Sequence, residues 1–221
     1  MESSPSALTR LEPIPALTEI AGVRAAFLGR TPGVDVRTDR TTALQRLAEP
    51  HRLAAESAGF TFDRLATAEQ VHGAEIALVE NPGFSPGVDG LITAEPRLPL
   101  GIYVADCAAV YLVDRRTHAI GLAHSGKKGS ELGIVAVTIR AMAKHFGTQS
   151  ADLVIHISPC IRPPEYEIDF APQIIRAAQE LGVTEIHDSG ICTARHSDWY
   201  YSYRRELGQT GRMLALLERL V

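Results

Sequence analysis

Residues 101–133 read GIYVADCAAVYLVDRRTHAIGLAHSGKKGSELG. An apolar strand ends at Asp106-Cys107, and a second apolar run follows over residues 108–113. The polar turn Asp114-Arg115-Arg116-Thr117 then leads into a third strand, residues 119–123. A short polar turn between two apolar runs implies antiparallel neighbours. The third strand delivers His124 into the loop Ser125-Gly126-Lys127-Lys128-Gly129. A thiol and an imidazole thus stand at the ends of buried strands, beside a glycine-rich cationic loop. Strands hold reactive side chains more accurately than loops do.

Toward the N-terminus, residues 88–93 and 74–79 read as short strands, separated by a loop rich in Pro and Gly. The motif Glu69-Gln70-Val71-His72-Gly73 precedes them. Residues 41–49 and 51–58 favour helix and are divided by Pro50, which either kinks one helix or starts a second. One or two strands are expected within residues 16–30, ending at Arg30. Toward the C-terminus, Leu132, Val135, Ala136, Ile139, Met142 and Ala143 recur at helical spacing behind Ser130. A strand over 153–157, an irregular loop over 158–167 and a helix from Asp169 to Leu181 follow. An aromatic and cationic segment, residues 198–205, precedes a final amphipathic helix expected over 212–220. Strands and helices interleave without strict βαβ alternation, and no dinucleotide or P-loop glycine pattern is present. The fold expected is α/β (α+β): a single-domain mixed-sheet sandwich with flanking helices over residues 16–221, behind a flexible tail over 1–15.

The 221 residues are 45% hydrophobic and 22% charged, which suits a globular domain with a substantial core. A net charge of −4 with scattered basic residues gives no nucleic-acid footprint. No apolar run reaches the length of a membrane span. The first residues lack the basic and apolar regions of a secretory signal. With an odd number of cysteines (Cys107, Cys160 and Cys192), reduced thiols in the cytoplasm are expected. The sequence leaves monomer and homodimer both open.

Three residues are weighed together as chemistry: His72, Cys107 and His124. Two imidazoles and a thiolate suit zinc, and three protein ligands leave a fourth position open. Each also has a structural reading, as a buried thiol or a hydrogen-bonded core histidine. The same atoms could serve as a Cys107–His124 nucleophile and base. Asp89 is a candidate supporting or proton-handling carboxylate, or a turn residue before Gly90. Asp106 would point away from Cys107's side if the strand continued through it. Lys127, Lys128, Arg30, Arg204 and Arg205 are candidate anion holders or solvated charges. Trp199, Tyr200, Tyr201 and Tyr203 form either a stacking wall or part of the core.

Several motifs together resemble the laccase-domain family, YfiH-like and also called multicopper polyphenol oxidoreductases. They are Gln70-Val71-His72-Gly73, Asp89-Gly90-Leu91-Ile92-Thr93, Ala105-Asp106-Cys107, Ala123-His124-Ser125-Gly126, Ser158-Pro159-Cys160-Ile161, Ser202-Tyr203-Arg204-Arg205 and Thr210-Gly211-Arg212-Met213. The resemblance spans roughly residues 20–221. It implies a mixed α/β domain with a metal centre formed by His72, Cys107 and His124, with zinc the expected ion. It implies purine nucleoside chemistry: phosphorolysis of adenosine-type substrates with phosphate, or deamination. Asp89 or Asp106 would handle a proton, and Arg30, Lys127, Lys128 and Arg204 would hold substrate. Polyphenol oxidation, Cys107-dependent hydrolysis of a peptidoglycan precursor and non-catalytic ligand binding are the alternatives. Where the family usually has His-Ala-Gly-Trp-Arg-Gly, this chain has His124-Ser125-Gly126-Lys127-Lys128-Gly129; Asp-Cys-x-Pro becomes Asp106-Cys107-Ala108-Ala109. Copper is the poorer fit: the chain's eight histidines include no His-x-His pair, and no methionine is placed by the sequence as an axial ligand.

Overall fold

The computed structural model describes residues 9–221. In chain order the elements are β1 (Leu11–Pro13), α1 (Pro15–Thr18), β2 (Val23–Leu28), α2 (Arg40–Ser57), β3 (Ala66–Ala68), β4 (Ile76–Leu78), β5 (Gly83–Ser85), β6 (Gly90–Thr93), β7 (Leu100–Val104), β8 (Ala108–Asp114) and β9 (Ile120–Ser125). They continue with α3 (Lys127–Glu131), α4 (Ile134–Phe146), β10 (Leu153–Ile157), α5 (Ala171–Glu180), β11 (Glu185–Asp188) and β12 (Met213–Arg219). Two six-stranded mixed sheets result, ordered β1-β2-β12-β7-β3-β5 and β11-β10-β8-β9-β6-β4. This is the expected mixed α/β sandwich.

Side-chain alternation explains the layering. Ala109, Tyr111 and Val113 of β8 join Ile102, Val104, Ala215 and Leu217 in a core between the sheets. Val110 and Leu112 of β8 face the other way, toward Ile134, Ile139 and Met142 of α4 and Ile174 of α5. Leu214 and Leu216 of β12 meet Ala54 and Ala55 of α2 on the outer face of the first sheet. The order is therefore helix, sheet, sheet, helices. The chain passes from the first sheet to the second between β7 and β8, at Asp106-Cys107.

Two expectations need correction, and a third is decided. Residues 213–219 form strand β12 and not a helix: the strand pairs antiparallel with β2 on one side and β7 on the other. Its apolar residues serve two opposite faces, which a one-sided helical stripe cannot do. Of the two readings of Pro50, the one-helix reading holds: Pro50 lies inside α2, which Asp39 caps by accepting from the Thr42 amide at 3.0 Å. Residues 1–8 of the expected tail fall outside the described residues. Beyond them, β1 is in register with β2 and Ile14 is buried, so residues 11–14 belong to the fold.

Candidate active site

The donors converge because four strand ends meet at one edge of the second sheet. The β8–β9 ladder pairs Ala108 with Ser125 and Ala109 with His124, which brings Cys107 and His124 to the same end. A Cβ on Gly126 would overlap the Cys107 sulfur, so only glycine leaves that sulfur its position. Parallel pairing of β4 with β6, and antiparallel pairing of β6 with β9, set Asp89 beside His124 and the 70–73 loop. One donor atom from each of His72, Cys107 and His124 lies within 4.8 Å of the others. His124 is buried, Cys107 half-buried and His72 exposed, so the group opens to one side.

Asp89 ties this group together. The loop carrying His72 has Gln70 and His72 in left-handed conformations (φ 66° and 62°), which turns successive amides inward. Asp89 fills that nest: its Oδ1 accepts from the His72 amide at 2.8 Å, and its Oδ2 from Gly73 at 2.6 Å and Val71 at 3.1 Å. The same Oδ1 lies 2.9 Å from His124 Nδ1, while the His124 amide donates to the Asp89 carbonyl at 2.7 Å. Gln70 adds a second clamp by bonding both the amide and the carbonyl of Tyr103 on β7 through its side chain. Burial opposes ionisation of the Cys107 thiol, but hydrogen bonding to His124 and then His72 outweighs it and brings the thiol down to about 6. Burial likewise opposes the His124 imidazolium, and Asp89 and Cys107 reverse this, raising it to about 9. A ready thiolate, two imidazoles, an oriented His124 ring and an open side are what a three-ligand metal centre requires. This donor set could hold a metal ion.

The cluster forms part of the wall of a cavity of about 690 Å³. Of the residues singled out by sequence, Lys127, Lys128, Asp106 and Arg204 line it as well. Arg30 does not: its guanidinium pairs with Glu206 at 2.8 Å, bonds the Tyr200 carbonyl and lies 4.3 Å from the Tyr201 ring centroid. Asp106 is not a mid-strand residue, since its φ of 80° ends β7. Its carboxylate accepts from Thr193 Oγ1 at 2.6 Å, Ser202 Oγ at 3.0 Å and the Arg204 amide at 2.7 Å, anchoring the 202–205 motif beside Cys107. Arg204 pairs with Glu167 at 2.9 Å. Among the aromatics, Tyr200 and Tyr201 are core, Tyr203 lines the cavity and Trp199 stacks outside it against Arg10 and His196. All three cysteines are free. Sequence reasoning missed Arg40 and Arg212, both of which face the cavity. Arg212 had a signal, because it sits in a recognised motif; Arg40 had none.

Fold and site together define a mixed-sheet α/β sandwich with a His-Cys-His centre at the floor of a cationic cavity. The chain belongs to the family described as multi-copper polyphenol oxidoreductase laccase, which matches residues 33–173 and 168–219. A purine nucleoside phosphorylase of Deinococcus radiodurans is 32% identical over 205 residues, covering 81% of this chain and 79% of that protein. Another of that name, from Mycobacterium tuberculosis, is 34% identical over 194 residues, covering 75% and 76%. The crystal structure of YlmD from Geobacillus stearothermophilus superposes with a TM-score of 0.80 at 27% identity, covering 94% of each chain. Bacillus licheniformis YfiH shares the fold, with a TM-score of 0.80 at 22% identity.

Proposed function

We propose that this protein is a zinc-dependent purine nucleoside phosphorylase of the cytoplasm. The observation that carries the reading is the make-up of one cavity: a His-Cys-His group, cationic side chains from several elements and the aromatic rings of Tyr103, Tyr166, Phe170 and Tyr203. Rings flank a planar base, and cations attract phosphate. The names carried by its relatives agree.

In this reaction a phosphate oxygen forms a bond to the anomeric carbon of the ribose. The glycosidic C–N bond breaks, its electron pair leaves with the purine, and the products are free base and ribose 1-phosphate. The chain's own contribution is positional and electrostatic: cations hold phosphate in line, and the rings fix the base against it. His72, Cys107 and His124 would hold the zinc, which when bound supplies Lewis-acid polarisation. Zinc is favoured over copper by the surroundings: Met142 packs in the core beneath α4 and Met213 in the core between the sheets, so neither offers a thioether. Phosphorolysis is favoured over deamination because the Asp89 carboxylate is fully engaged by the 71–73 amides and His124. It orients ligands and is not free to carry protons.

The test is metal analysis of the purified protein with a nucleoside panel, run with and without phosphate. About one zinc per chain is expected, with base release from adenosine and inosine only when phosphate is present. Base release indifferent to phosphate, or ammonia release as the main product, would overturn the assignment.

A further inference from the structure

We propose that Arg40 and Arg212 form an oxyanion site that receives a phosphate group beside the His72–Cys107–His124 cluster. The two arginines reach the cavity from different layers, Arg40 from the first turn of α2 and Arg212 from the residue preceding β12. Both are held in place by backbone and not by carboxylates. Arg212 Nη1 donates to the carbonyls of Thr210 at 3.1 Å and Gly211 at 2.9 Å. Arg40 Nη2 donates to the Glu69 carbonyl at 3.3 Å. Gly211 is required for this placement, since a Cβ there would lie 2.6 Å from the Tyr201 ring. Arg212 Nε and Nη2 have no hydrogen-bond partner among the described residues.

The contrast with Arg204, the third arginine lining the cavity, is the main argument. Arg30 has Glu206, Arg204 has Glu167 and Arg162 has Asp188. Arg40 and Arg212 form no ion pair among the described residues. Asp106, the carboxylate of the cavity wall, already accepts from Thr193, Ser202 and the Arg204 amide. Burial, and then repulsion from Arg40, press the Arg212 guanidinium below its ordinary pKa, while Tyr203, Cys107 and Asp106 offset this in part. Arg212 therefore stands within electrostatic reach of both Arg40 and the Cys107 sulfur. Two like charges, one of them half-buried, are unfavourable in the ligand-free protein. A tetrahedral oxyanion removes the repulsion and matches the planar donors of both guanidinium groups.

The oxyanion has two sources, free phosphate as co-substrate or the 5′-phosphate of a nucleotide. The inference rests on the nucleoside reading for the organic ligand of the cavity, but not for the oxyanion itself. The experiment titrates inorganic phosphate, adenosine and AMP separately into wild type, Arg212→Gln, Arg212→Lys, Arg40→Gln and the double variant Lys127→Gln/Lys128→Gln. Zinc content and thermal melting are checked for each. Inorganic phosphate should bind wild type, at least tenfold more weakly to Arg212→Gln and severalfold more weakly to Arg40→Gln and Arg212→Lys. AMP binding no tighter than adenosine identifies the co-substrate; a gain for AMP that vanishes in Arg212→Gln identifies the 5′-phosphate. If Arg212→Gln misfolds, Arg40→Gln and Arg212→Lys carry the test. Phosphate affinity within twofold of wild type in the folded arginine variants overturns the proposal, as does a wild type that binds neither phosphate nor AMP. Phosphate-dependent turnover that survives in Arg212→Gln with an unchanged KM for phosphate rejects this site and spares the phosphorylase reading. Arginine-dependent phosphate binding without any nucleoside cleavage does the reverse.

Discussion

Around Asp89, polar groups are matched: one carboxylate takes three backbone amides and the His124 ring, and one donor atom from each of His72, Cys107 and His124 lies within 4.8 Å of the others. Around α2 the opposite holds. Among the described residues Arg40 and Arg212 have no carboxylate partner, and His51, buried behind Tyr103, has no side-chain hydrogen-bond partner on either ring nitrogen. A matched network fixes geometry before any ligand arrives, as a metal centre demands. An unmatched one holds unfavourable charge that a ligand relieves, as an anion subsite can tolerate. The difference teaches which wall is finished by the chain and which is finished by what binds.

The hardest break to the finished wall is removal of a ligand. Cys107→Ser and His124→Ala should each drop bound zinc toward zero and nucleoside turnover by more than about 100-fold, beyond what losing an outer partner costs. Elemental analysis beside steady-state rates measures both. Full zinc content in either variant would take that residue out of the centre. Asp89→Asn comes next. An amide can still accept from backbone, but it disturbs the partner of His124 Nδ1 and the nest around residues 71–73. Zinc affinity should fall about 10- to 100-fold, read by competition with a chelator, and phosphate affinity should stay unchanged. A loss of phosphate affinity without loss of zinc would dissolve the distinction between the two walls.

On the unfinished wall, acid provides the break. Burial holds His51 down at about 4, whereas an unfolded histidine titrates near 6.5. The group is neutral in the fold, so its contribution to stability is complete above about pH 6.5 and is lost as pH falls toward 4. The groups facing it are the Tyr103 phenol, which burial pushes up to about 12, and Arg212. The Arg212 backbone offsets burial only in part, and neither side chain gives the imidazolium a negative partner. Between pH 7 and pH 5, wild type should lose about 2 kcal/mol through this residue. Urea denaturation at the two pH values should show His51→Leu losing that much less. Equal losses in both proteins would mean that His51 does not carry the acid sensitivity.

How much of this was legible in the sequence follows the same division. The finished wall was readable because its members lie in local motifs at strand ends: Gln70-Val71-His72-Gly73, Asp106-Cys107 and His124-Ser125-Gly126 each announce a turn and a reactive group. Asp89 was visible as a carboxylate, but its role depends on left-handed backbone at Gln70 and His72, which periodicity does not reveal. The unfinished wall was hidden by tertiary structure. Met213-Leu214-Ala215-Leu216-Leu217-Glu218-Arg219 is rich in helix formers, yet pairing with β2 and β7 overrides that propensity. Reading it as a helix removed the strand that presents Arg212. Arg30 was visible as a candidate anion holder, while Arg40, ten residues on, reaches the cavity only because α2 packs across the outer face of the first sheet.

The smallest effect is expected from Lys127 and Lys128, and it sharpens the comparison most. Both line the cavity, and both replace the tryptophan and arginine of the family's usual motif, so sequence alone makes them the anion holders. The structure puts them at the exposed start of the five-residue helix α3. Charges there are screened by solvent and salt, and a flexible ammonium holds an anion only as a point charge. Lys127→Gln with Lys128→Gln should therefore raise the KM for phosphate by less than about threefold at physiological salt. Zinc content should not change, and the effect should shrink further as salt is raised. Arg212→Gln, by contrast, should keep most of its effect in salt because its guanidinium is half-buried. If the lysine pair costs as much as Arg212→Gln, and resists salt equally, the oxyanion belongs on α3 and the unmatched arginines serve some other ligand.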